Sequence, residues 1–427
     1  MSNHGWELDV TQSEVQTGPI VIVGGGHAAA ALCGALVAAG HGARVHMVCE
    51  ETQLPYQRPP LSKSFLKSAQ ETLQAHRGED WYAQAGITLH RADPATAIDR
   101  TRRALRLRSG RDVGYARLVL ATGARARRLK ELPATLRNVV LLRSADDAQA
   151  LRNQLQAAHS LTVLGGGFIG LEVAATARAL GKEVSVIEAA PRLLPRSVSE
   201  DLAEHVLRTH RDSGIDVRLG VAAGGFVVDG QRLVSIAGDG KAMPVDLLVL
   251  GIGAAPEQTL AQDAGLECAS GVNGANGVLV DACLRTSDPA ILAIGDCASF
   301  PRHDNGARTR LESVQNANDQ ARTALATLLG REEPYQALPW FWSEQGSMRL
   351  QMAGLLPQGP EGSQRHRRAG ATATSFSILH YLGSQLTCVE SVNAPLDHMA
   401  ARKLLEAGRS PEPLVACDPA IPLKAHL

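Results

Sequence analysis

The sequence predicts an α/β fold with two Rossmann-like dinucleotide-binding domains, followed by a C-terminal α+β domain. Two segments, 20–50 and 161–189, each read as an apolar strand, a glycine-rich turn, a helix and a second strand that ends near a glutamate. After residue 331, short segments separated by glycines indicate antiparallel strands instead. Two nucleotide sites in one chain indicate that electrons pass from one nucleotide to another.

The first segment begins with a predicted strand at 20–23, followed by a helix over 28–39 and a strand over 44–49. Gly40 ends the helix because glycine readily takes the left-handed conformation there. Elsewhere the same reading predicts helices near 199–213, 316–329 and 395–408, and strands at 246–250, 374–382 and 385–392. The basic stretch 358–370 is predicted to be a solvated loop.

The domain boundaries follow from where apolar strands end. One strand ends in Ala121, Thr122 and Gly123, and a later strand ends in a similar stretch that contains Gly253. We therefore expect the chain to leave the first domain and to return to it. The expected divisions are a flexible leader at 1–18, the first domain at 19–125 and 255–330, the second at 126–254, and the C-terminal domain at 331–427.

Both glycine-rich turns have the spacing that binds a pyrophosphate. Glycine lets the backbone approach the phosphates, and the following helix offers unpaired N–H groups. A glutamate after the second strand holds a ribose 2′-hydroxyl and repels a 2′-phosphate, so Glu50 fits an adenosine ribose and Glu188 predicts NADH rather than NADPH. The turn residues are Gly24, Gly26 and His27 in the first site, with Ala29 at the third glycine position, and Gly165, Gly167, Phe168, Ile169 and Gly170 in the second.

Composition excludes several other classes of protein. The 43 lysines and arginines balance the 43 aspartates and glutamates, so no overall charge points to nucleic acid or to an anionic membrane. No stretch reaches about 18 uninterrupted apolar residues, and the start lacks the pattern of a signal peptide. Seven cysteines without a CxxC pair and fourteen scattered histidines predict neither a disulfide framework nor a metal site. We expect a cytoplasmic protein.

Six motifs resemble the FAD-dependent ferredoxin reductases that serve Rieske-type ring-hydroxylating dioxygenases and bacterial haem monooxygenases. They are LPYQRPPLSKSFL, ATGARARRL, GGGFIGLEVAATA, TSDPAILAIGDCA, LESVQNANDQA and PWFWSEQG. The match runs from about residue 19 to about residue 408. The resemblance implies FAD in the first domain, NADH in the second, and a C-terminal domain that closes over the flavin.

The resemblance also implies individual contacts with FAD. Asp296, which follows Gly295 in a turn, matches the residue that holds the ribityl chain, and Trp342 matches an aromatic residue that contacts the flavin. Arg58 is expected to neutralise the pyrophosphate, with a solvated loop arginine as the alternative. Ala95 stands where the family usually has a valine that makes its contact through the backbone. The other matching positions are Ala28, Glu50, Ala121, Thr122, Gly123, Arg143 and Val314.

Lys63 and Glu172 are, with Trp342, the candidate catalytic residues. Taken alone, they read as a solvated loop lysine and a carboxylate in the first turn of a helix, where it complements the helix dipole. In the flavoproteins that the chain resembles, the corresponding lysine and glutamate pair next to flavin N5. A desolvated ammonium there stabilises the negative charge that the flavin gains with a hydride.

These inferences predict an NADH:ferredoxin reductase, a monomer or weak homodimer, that serves a two-iron two-sulfur ferredoxin. Two alternatives stay open. A pyridine nucleotide–disulfide oxidoreductase would need a redox-active cysteine near the flavin, and the stretch 56–67 contains none. An NADH-sensing flavoprotein similar to apoptosis-inducing factor would share the lysine–glutamate pair.

The ferredoxin is expected to meet a local basic face, because the chain as a whole is neutral. The candidate residues lie before the LESVQ motif, on the last predicted helix and in the basic loop. They are Arg308, Arg310, Arg402 and Lys403, with Arg365, Arg367 and Arg368 as a further cluster.

Overall fold

The chain forms two units, each assembled from stretches that are separate in the sequence. The computed structural model describes residues 18–271, 276–357, 359 and 362–427, so the predicted leader lies outside the described residues except for its last residue. The first unit comprises the described residues up to Gln57, together with Gln74–Ala124 and Pro256–Ala337. The second comprises Arg58–Leu73, Arg125–Ala255 and Leu338–Leu427.

A five-stranded parallel sheet is the centre of the first unit. Its middle strand, Ile20–Val23, is buried along its whole length, and such a strand is an uninterrupted apolar run because both faces of a parallel sheet are covered. The strands lie in the order Ile291–Ala293, Arg117–Leu120, Ile20–Val23, Val45–Val48 and Thr88–His90.

Helices and two smaller sheets complete the first unit. The helices are His27–Ala38, Glu79–Gln84, Thr259–Asp263 and Val314–Leu328, with 3₁₀ turns at Gly42–Arg44 and Gly295–Cys297. One sheet is antiparallel and contains Ala95–Asp99, Ala104–Leu107 and Asp112–Gly114. The other is mixed and contains Cys268–Ser270, Asn276–Leu279, Ala298–Pro301 and Arg308–Thr309.

The second unit has its own parallel sheet and a larger antiparallel one. The parallel order is Asp216–Leu219, Glu183–Glu188, Ser160–Leu164, Leu247–Leu250 and Val139–Val140. A three-stranded antiparallel sheet follows at Gly224–Asp229, Arg232–Gly238 and Lys241–Pro244. The larger sheet runs in the order Trp340–Gln345, Met348–Gly354, Gln385–Val392, Phe376–Leu382 and Ser363–Ala369.

The helices of the second unit lie before, between and after these strands. They are Ser64–Lys67, Ala145–Ala157, Phe168–Ala179, Glu200–Asp212, Pro395–Glu406 and Pro413–Cys417, with 3₁₀ turns at Pro59–Ser62 and Leu423–His426. Short strands at Ala124–Ala126 and Ala254–Pro256 lie where the chain passes between the units.

Most predicted elements recur with small shifts at their ends. The helix expected over 199–213 spans Glu200–Asp212, because the Ser199 hydroxyl accepts a hydrogen bond from the Leu202 N–H group and so begins the helix. The strand expected at 385–392 has those bounds in the structure.

The prediction of a loop at 358–370 was wrong for the described part of this stretch, since Ser363–Ala369 is an edge strand. The Arg368 side chain points inward, where it pairs with Asp397 at 3.1 Å and donates to the carbonyl oxygen of Ala416 at 2.9 Å. Arg365 and Arg367 are more exposed, so the strand carries charge on both faces and lacks the apolar alternation that marks a strand in a sequence.

Candidate functional site

The first glycine-rich turn leaves no room for side chains. Gly24 has a φ of +130°, and a Cβ atom there would lie 2.2 Å from the carbonyl oxygen of Ala121. Gly26 precedes the helix His27–Ala38 and provides no side-chain cap, and the N-terminus of a helix favours a bound phosphate. The turn therefore fits a pyrophosphate.

The carboxyl ends of four parallel strands bring the other candidate FAD contacts to the same edge of the sheet. These ends lead into the glycine-rich turn, Glu50, the Ala121–Gly123 stretch and the turn at Gly295 and Asp296. A Cβ atom on Gly295 would lie 3.1 Å from the Cβ atom of Ala28, which places these two candidates side by side.

Two polar side chains hold the Gly295–Asp296 turn. The Gln320 side chain accepts a hydrogen bond from the Gly295 N–H group at 2.7 Å, and Arg310 donates to the carbonyl oxygen of Asp296 at 2.9 Å. Arg310 also pairs with Glu312, and its side chain is buried. Its assignment to a basic docking face was therefore wrong, because this guanidinium is engaged inside the unit.

The remaining candidates of the first unit lie on or near these elements. Val314 is the first residue of its helix, which Ser313 caps by accepting a hydrogen bond from the Asn316 N–H group at 3.0 Å. Thr122 donates to the carbonyl oxygen of Glu257. Ala95 begins a strand of the small antiparallel sheet, outside the parallel sheet that carries the others.

The second glycine-rich turn repeats the arrangement in the second unit. Gly165 has a φ of +102°, and a Cβ atom there would lie 2.3 Å from the carbonyl oxygen of Gly251. Gly167 precedes the helix Phe168–Ala179, which we call the second fingerprint helix, and again provides no side-chain cap. Gly253, with a φ of +96°, follows the neighbouring parallel strand and so lies at the same sheet edge.

Glu188 ends its strand beside this turn. One of its carboxylate oxygens accepts a hydrogen bond from the Gly166 N–H group at 2.6 Å, and the other accepts one from the Ala190 N–H group at 2.7 Å. The side chain is thus held where the ribose of the nucleotide is expected, and it also fixes the turn itself.

Lys63 and Glu172 form an ion pair, with the lysine Nζ atom 2.6 Å from Oε2 of the carboxylate. The Lys63 side chain is 17% exposed and the Glu172 side chain 7%. Glu172 is the fifth residue of the second fingerprint helix, so its predicted place in the first turn was wrong; the helix begins at Phe168 because Gly167 is its N-cap.

Two serines that were not predicted from the sequence complete the surroundings of Glu172. Ser62 donates to Oε2 at 2.5 Å, and Ser343 donates to Oε1 at 2.7 Å. Both serines adjoin predicted site residues, Lys63 and Trp342. Their position next to those residues was the available signal, and it says nothing about which carboxylate they reach.

The segment Arg58–Leu73 is fastened within the second unit. Thr176, on the second fingerprint helix, donates to the carbonyl oxygen of Ser62 at 2.9 Å. Arg152 donates to the carbonyl oxygens of Ser68 and Glu71 at 3.1 and 2.9 Å. Arg58 donates to the carbonyl oxygen of Arg143 at 2.6 Å, which joins two residues that were predicted to contact FAD. These contacts fix the backbone that carries Lys63.

Trp342 lies on the strand Trp340–Gln345, whose residues alternate between two faces. Phe341 packs against Phe168 with ring centroids 4.6 Å apart, and Ser343 reaches Glu172, so this face meets the second fingerprint helix. Trp342 is on the opposite face with Trp340, at a ring distance of 5.6 Å. The structure thus places Trp342 and Glu172 on different sides of one strand.

The cysteines offer no thiolate chemistry at this site. All seven are free thiols among the described residues. Burial raises the pKa of both Cys33 and Cys49 to about 12, and it raises the pKa of Cys297 as well. A neutral buried thiol is a poor nucleophile, which argues against a disulfide-reducing centre here.

No group of histidine, cysteine or acidic side chains in the described part of the chain could hold a metal ion. Within the same described residues, no helix is both long and apolar enough to cross a membrane.

Two family models match the chain. The model described as pyridine nucleotide-disulphide oxidoreductase matches residues 18–321, and the model described as reductase C-terminal matches residues 340–427. Among curated relatives, rhodocoxin reductase of Rhodococcus erythropolis is 40% identical over 95% of this chain and 93% of its own length. The ferredoxin–NAD(+) reductase component of the p-cumate 2,3-dioxygenase system of Pseudomonas putida is 37% identical over 95% and 97%.

Two solved structures agree with these matches. The ferredoxin reductase for the CYP199A2 system from Rhodopseudomonas palustris has a TM-score of 0.90 at 40% identity and covers 96% of this chain and 99% of its own. The covalent putidaredoxin reductase–putidaredoxin complex has a TM-score of 0.88 at 35% identity, with coverage of 96% and 98%.

Proposed function

The chain belongs to the pyridine nucleotide-disulphide oxidoreductase family, whose members use FAD and NAD(H), and from this we propose that it is the NADH:ferredoxin reductase of an oxygenase system. The predicted resemblance, fold class, enzyme class and cofactors are confirmed. The relatives are ferredoxin reductases, and the match covers nearly their whole length. A ferredoxin is the electron acceptor of such enzymes.

The buried Lys63–Glu172 pair carries the proposal. An ion pair with so little exposure gains little stability compared with apolar side chains, so its presence indicates a functional requirement. FAD, when bound, accepts a hydride equivalent from NADH and passes electrons on singly. The Lys63 ammonium stabilises negative charge on the flavin, and Glu172 with its two serines orients that ammonium.

The two glycine-rich turns hold the two pyrophosphates, FAD in the first unit and NADH in the second. Asp296 and Glu50 hold the ribityl and ribose groups of FAD, and Glu188 holds the adenosine ribose of NADH. Trp342 contacts the flavin. The domain boundaries drawn from the sequence, and every other site residue named there, are part of the same proposal.

The partner is a two-iron two-sulfur ferredoxin of the Rieske or the putidaredoxin type, and the reductase is a monomer or weak homodimer. We place it in the cytoplasm because the seven free cysteines suit a reducing compartment. A disulfide reductase, which the family name includes, is not supported by thiols that burial keeps protonated.

The test is anaerobic reduction of the purified, FAD-loaded protein, followed by turnover with putidaredoxin as a two-iron two-sulfur acceptor. We expect NADH to bleach the flavin faster than NADPH, and the reduced protein to reduce putidaredoxin and ferricyanide. Flavin reduction by NADH without electron transfer to putidaredoxin, or to the ferredoxins of other oxygenase systems, would favour the NADH-sensing alternative. Thiol-dependent turnover would favour the disulfide one.

A further inference from the structure

A series of buried hydrogen bonds leads from Glu172 to His210 within the second unit. The Oε1 atom of Glu172 accepts from the Ser343 hydroxyl at 2.7 Å, and this hydroxyl lies 3.1 Å from Nε2 of Gln345. The Oε1 atom of Gln345 lies 2.8 Å from Nε2 of His210. The exposed fractions of Ser343, Gln345 and His210 are 0%, 1% and 2%.

The Glu172 carboxylate sets the donor and the acceptor of every hydrogen bond in this series. The Glu172 carboxylate, which is paired with Lys63, can only accept hydrogen bonds. The Ser343 hydroxyl therefore donates its single proton to Glu172. Ser343 must then accept from the Gln345 amide, which leaves the Gln345 carbonyl oxygen as the acceptor for His210. The His210 ring therefore carries its proton on Nε2. Burial lowers the pKa of His210, which agrees with a neutral ring.

The fold explains why these three residues meet. Ser343 and Gln345 are two apart on the strand Trp340–Gln345, so both face the same side. His210 comes from the helix Glu200–Asp212. A buried network of this kind favours one arrangement, because rotation of any of these side chains breaks a buried hydrogen bond.

We propose that Ser343, Gln345 and His210 are positioning residues for the Lys63–Glu172 pair. Three donors point toward the carboxylate in series and hold it in the rotamer in which Oε2 meets Lys63. The charge of Glu172 is thereby shared by Lys63, Ser62 and Ser343, so that less of the positive charge of the Lys63 ammonium is neutralised by Glu172 and more of it acts on the flavin. This inference rests on the proposed function, which assigns the pair to the flavin.

The test compares Ser343→Ala with Ser343→Thr, which keeps a hydroxyl, in the FAD-loaded protein. Ser377→Ala is the matched control, because Ser377 is equally buried in the same sheet but bonds to Ser391 and to the carboxylate of Asp397, not to Glu172. The loss of one hydrogen bond to a charged group predicts about a tenfold slower flavin reduction at saturating NADH in Ser343→Ala. We expect an unchanged dissociation constant for NADH, and a flavin midpoint potential that is more negative, because Glu172 then draws more of the Lys63 charge.

Ser343→Thr should restore both the rate and the potential, and Ser377→Ala should change neither. Gln345→Met tests whether the hydrogen bonds act in series. Alone, this substitution should shift the flavin potential in the same direction as Ser343→Ala, and in the Ser343→Ala background it should cause no further shift. Additive effects, or a wild-type potential in Ser343→Ala, would overturn the inference. A wild-type protein that NADH does not reduce would instead overturn the proposed function.

Discussion

At the scale of single residues, Glu172 shows how one carboxylate gathers partners from distant parts of the chain. Its three donors come from residues 62, 63 and 343, which are brought to one helix turn only by the fold. Removal of one charge from such a buried pair leaves the other uncompensated, and this costs far more stability than the pair contributes.

Lys63→Met should therefore lower the free energy of unfolding by about 3 kcal/mol, the scale of a broken buried ion pair. The double variant Lys63→Met with Glu172→Gln should recover much of that loss, because no isolated charge then remains. Urea unfolding of both variants measures the difference. Equal losses in the single and double variants would show that the pair is effectively solvated.

Glu188 fixes the second glycine-rich turn and is proposed to hold the ribose of NADH, so a substitution should affect both the turn and the choice of nucleotide. Replacing Glu188 by Ala and Ala189 by Arg removes the repulsion of a 2′-phosphate and adds a partner for it. We expect the ratio of kcat/KM for NADPH to that for NADH to rise at least about tenfold, which corresponds to about 1.4 kcal/mol. Since Glu188 also accepts hydrogen bonds from Gly166 and Ala190, the rate with NADH should fall as well. A wild-type protein that used both nucleotides equally would contradict this role.

Cys49 provides the residue-scale test of thiol chemistry. Its pKa is raised to about 12 by burial, so the thiol stays protonated throughout the pH range of ordinary assays. Cys49→Ala should leave NADH-dependent ferricyanide reduction unchanged, and so should Cys33→Ala and Cys297→Ala. Loss of activity in any one of them, with FAD still bound, would revive the disulfide reductase.

At the scale of elements, the helix Pro395–Glu406 of the C-terminal region, here called the C-terminal helix, presents two of the candidate residues for ferredoxin docking, Arg402 and Lys403. Arg402 lies over the Trp340 ring at 4.4 Å and 3.7 Å from Glu406, so part of its charge is engaged. Lys403 is exposed on the same helix.

Lys403→Glu should raise the apparent KM for putidaredoxin several-fold and leave ferricyanide reduction unchanged, because only association with an acidic partner depends on this charge. The effect should shrink as salt rises toward 0.5 M, where charges more than a few ångströms apart are screened. Lys67→Glu, on the short helix Ser64–Lys67 of the same unit, is the control. Identical salt responses of the two variants would exclude the C-terminal helix as the docking element.

At the scale of the whole molecule, the two parallel sheets were predictable because local patterns specify them. The first glycine of each turn has a positive φ, and a Cβ atom added to it would lie about 2 Å from a carbonyl oxygen, so the backbone geometry itself requires glycine there. The strand Ser363–Ala369 was not predictable, because its arginines lie on both faces and so remove the alternation of apolar and polar residues that marks a strand in a sequence. Ser343 and His210 could not be assigned from the sequence, since their link to Glu172 depends on packing between remote segments.

The chain passes between the two units five times, and one of the excursions is the short segment Arg58–Leu73. No single cut in the polypeptide can therefore yield two complete halves. A recombinant fragment that starts at Arg125 would lack Lys63 and the backbone carbonyls that Arg152 binds, and it would expose the buried guanidinium. A transfer of the second unit into another reductase must include the sixteen residues from Arg58 to Leu73. In modular engineering, the exchangeable part is thus defined by contacts rather than by contiguous sequence.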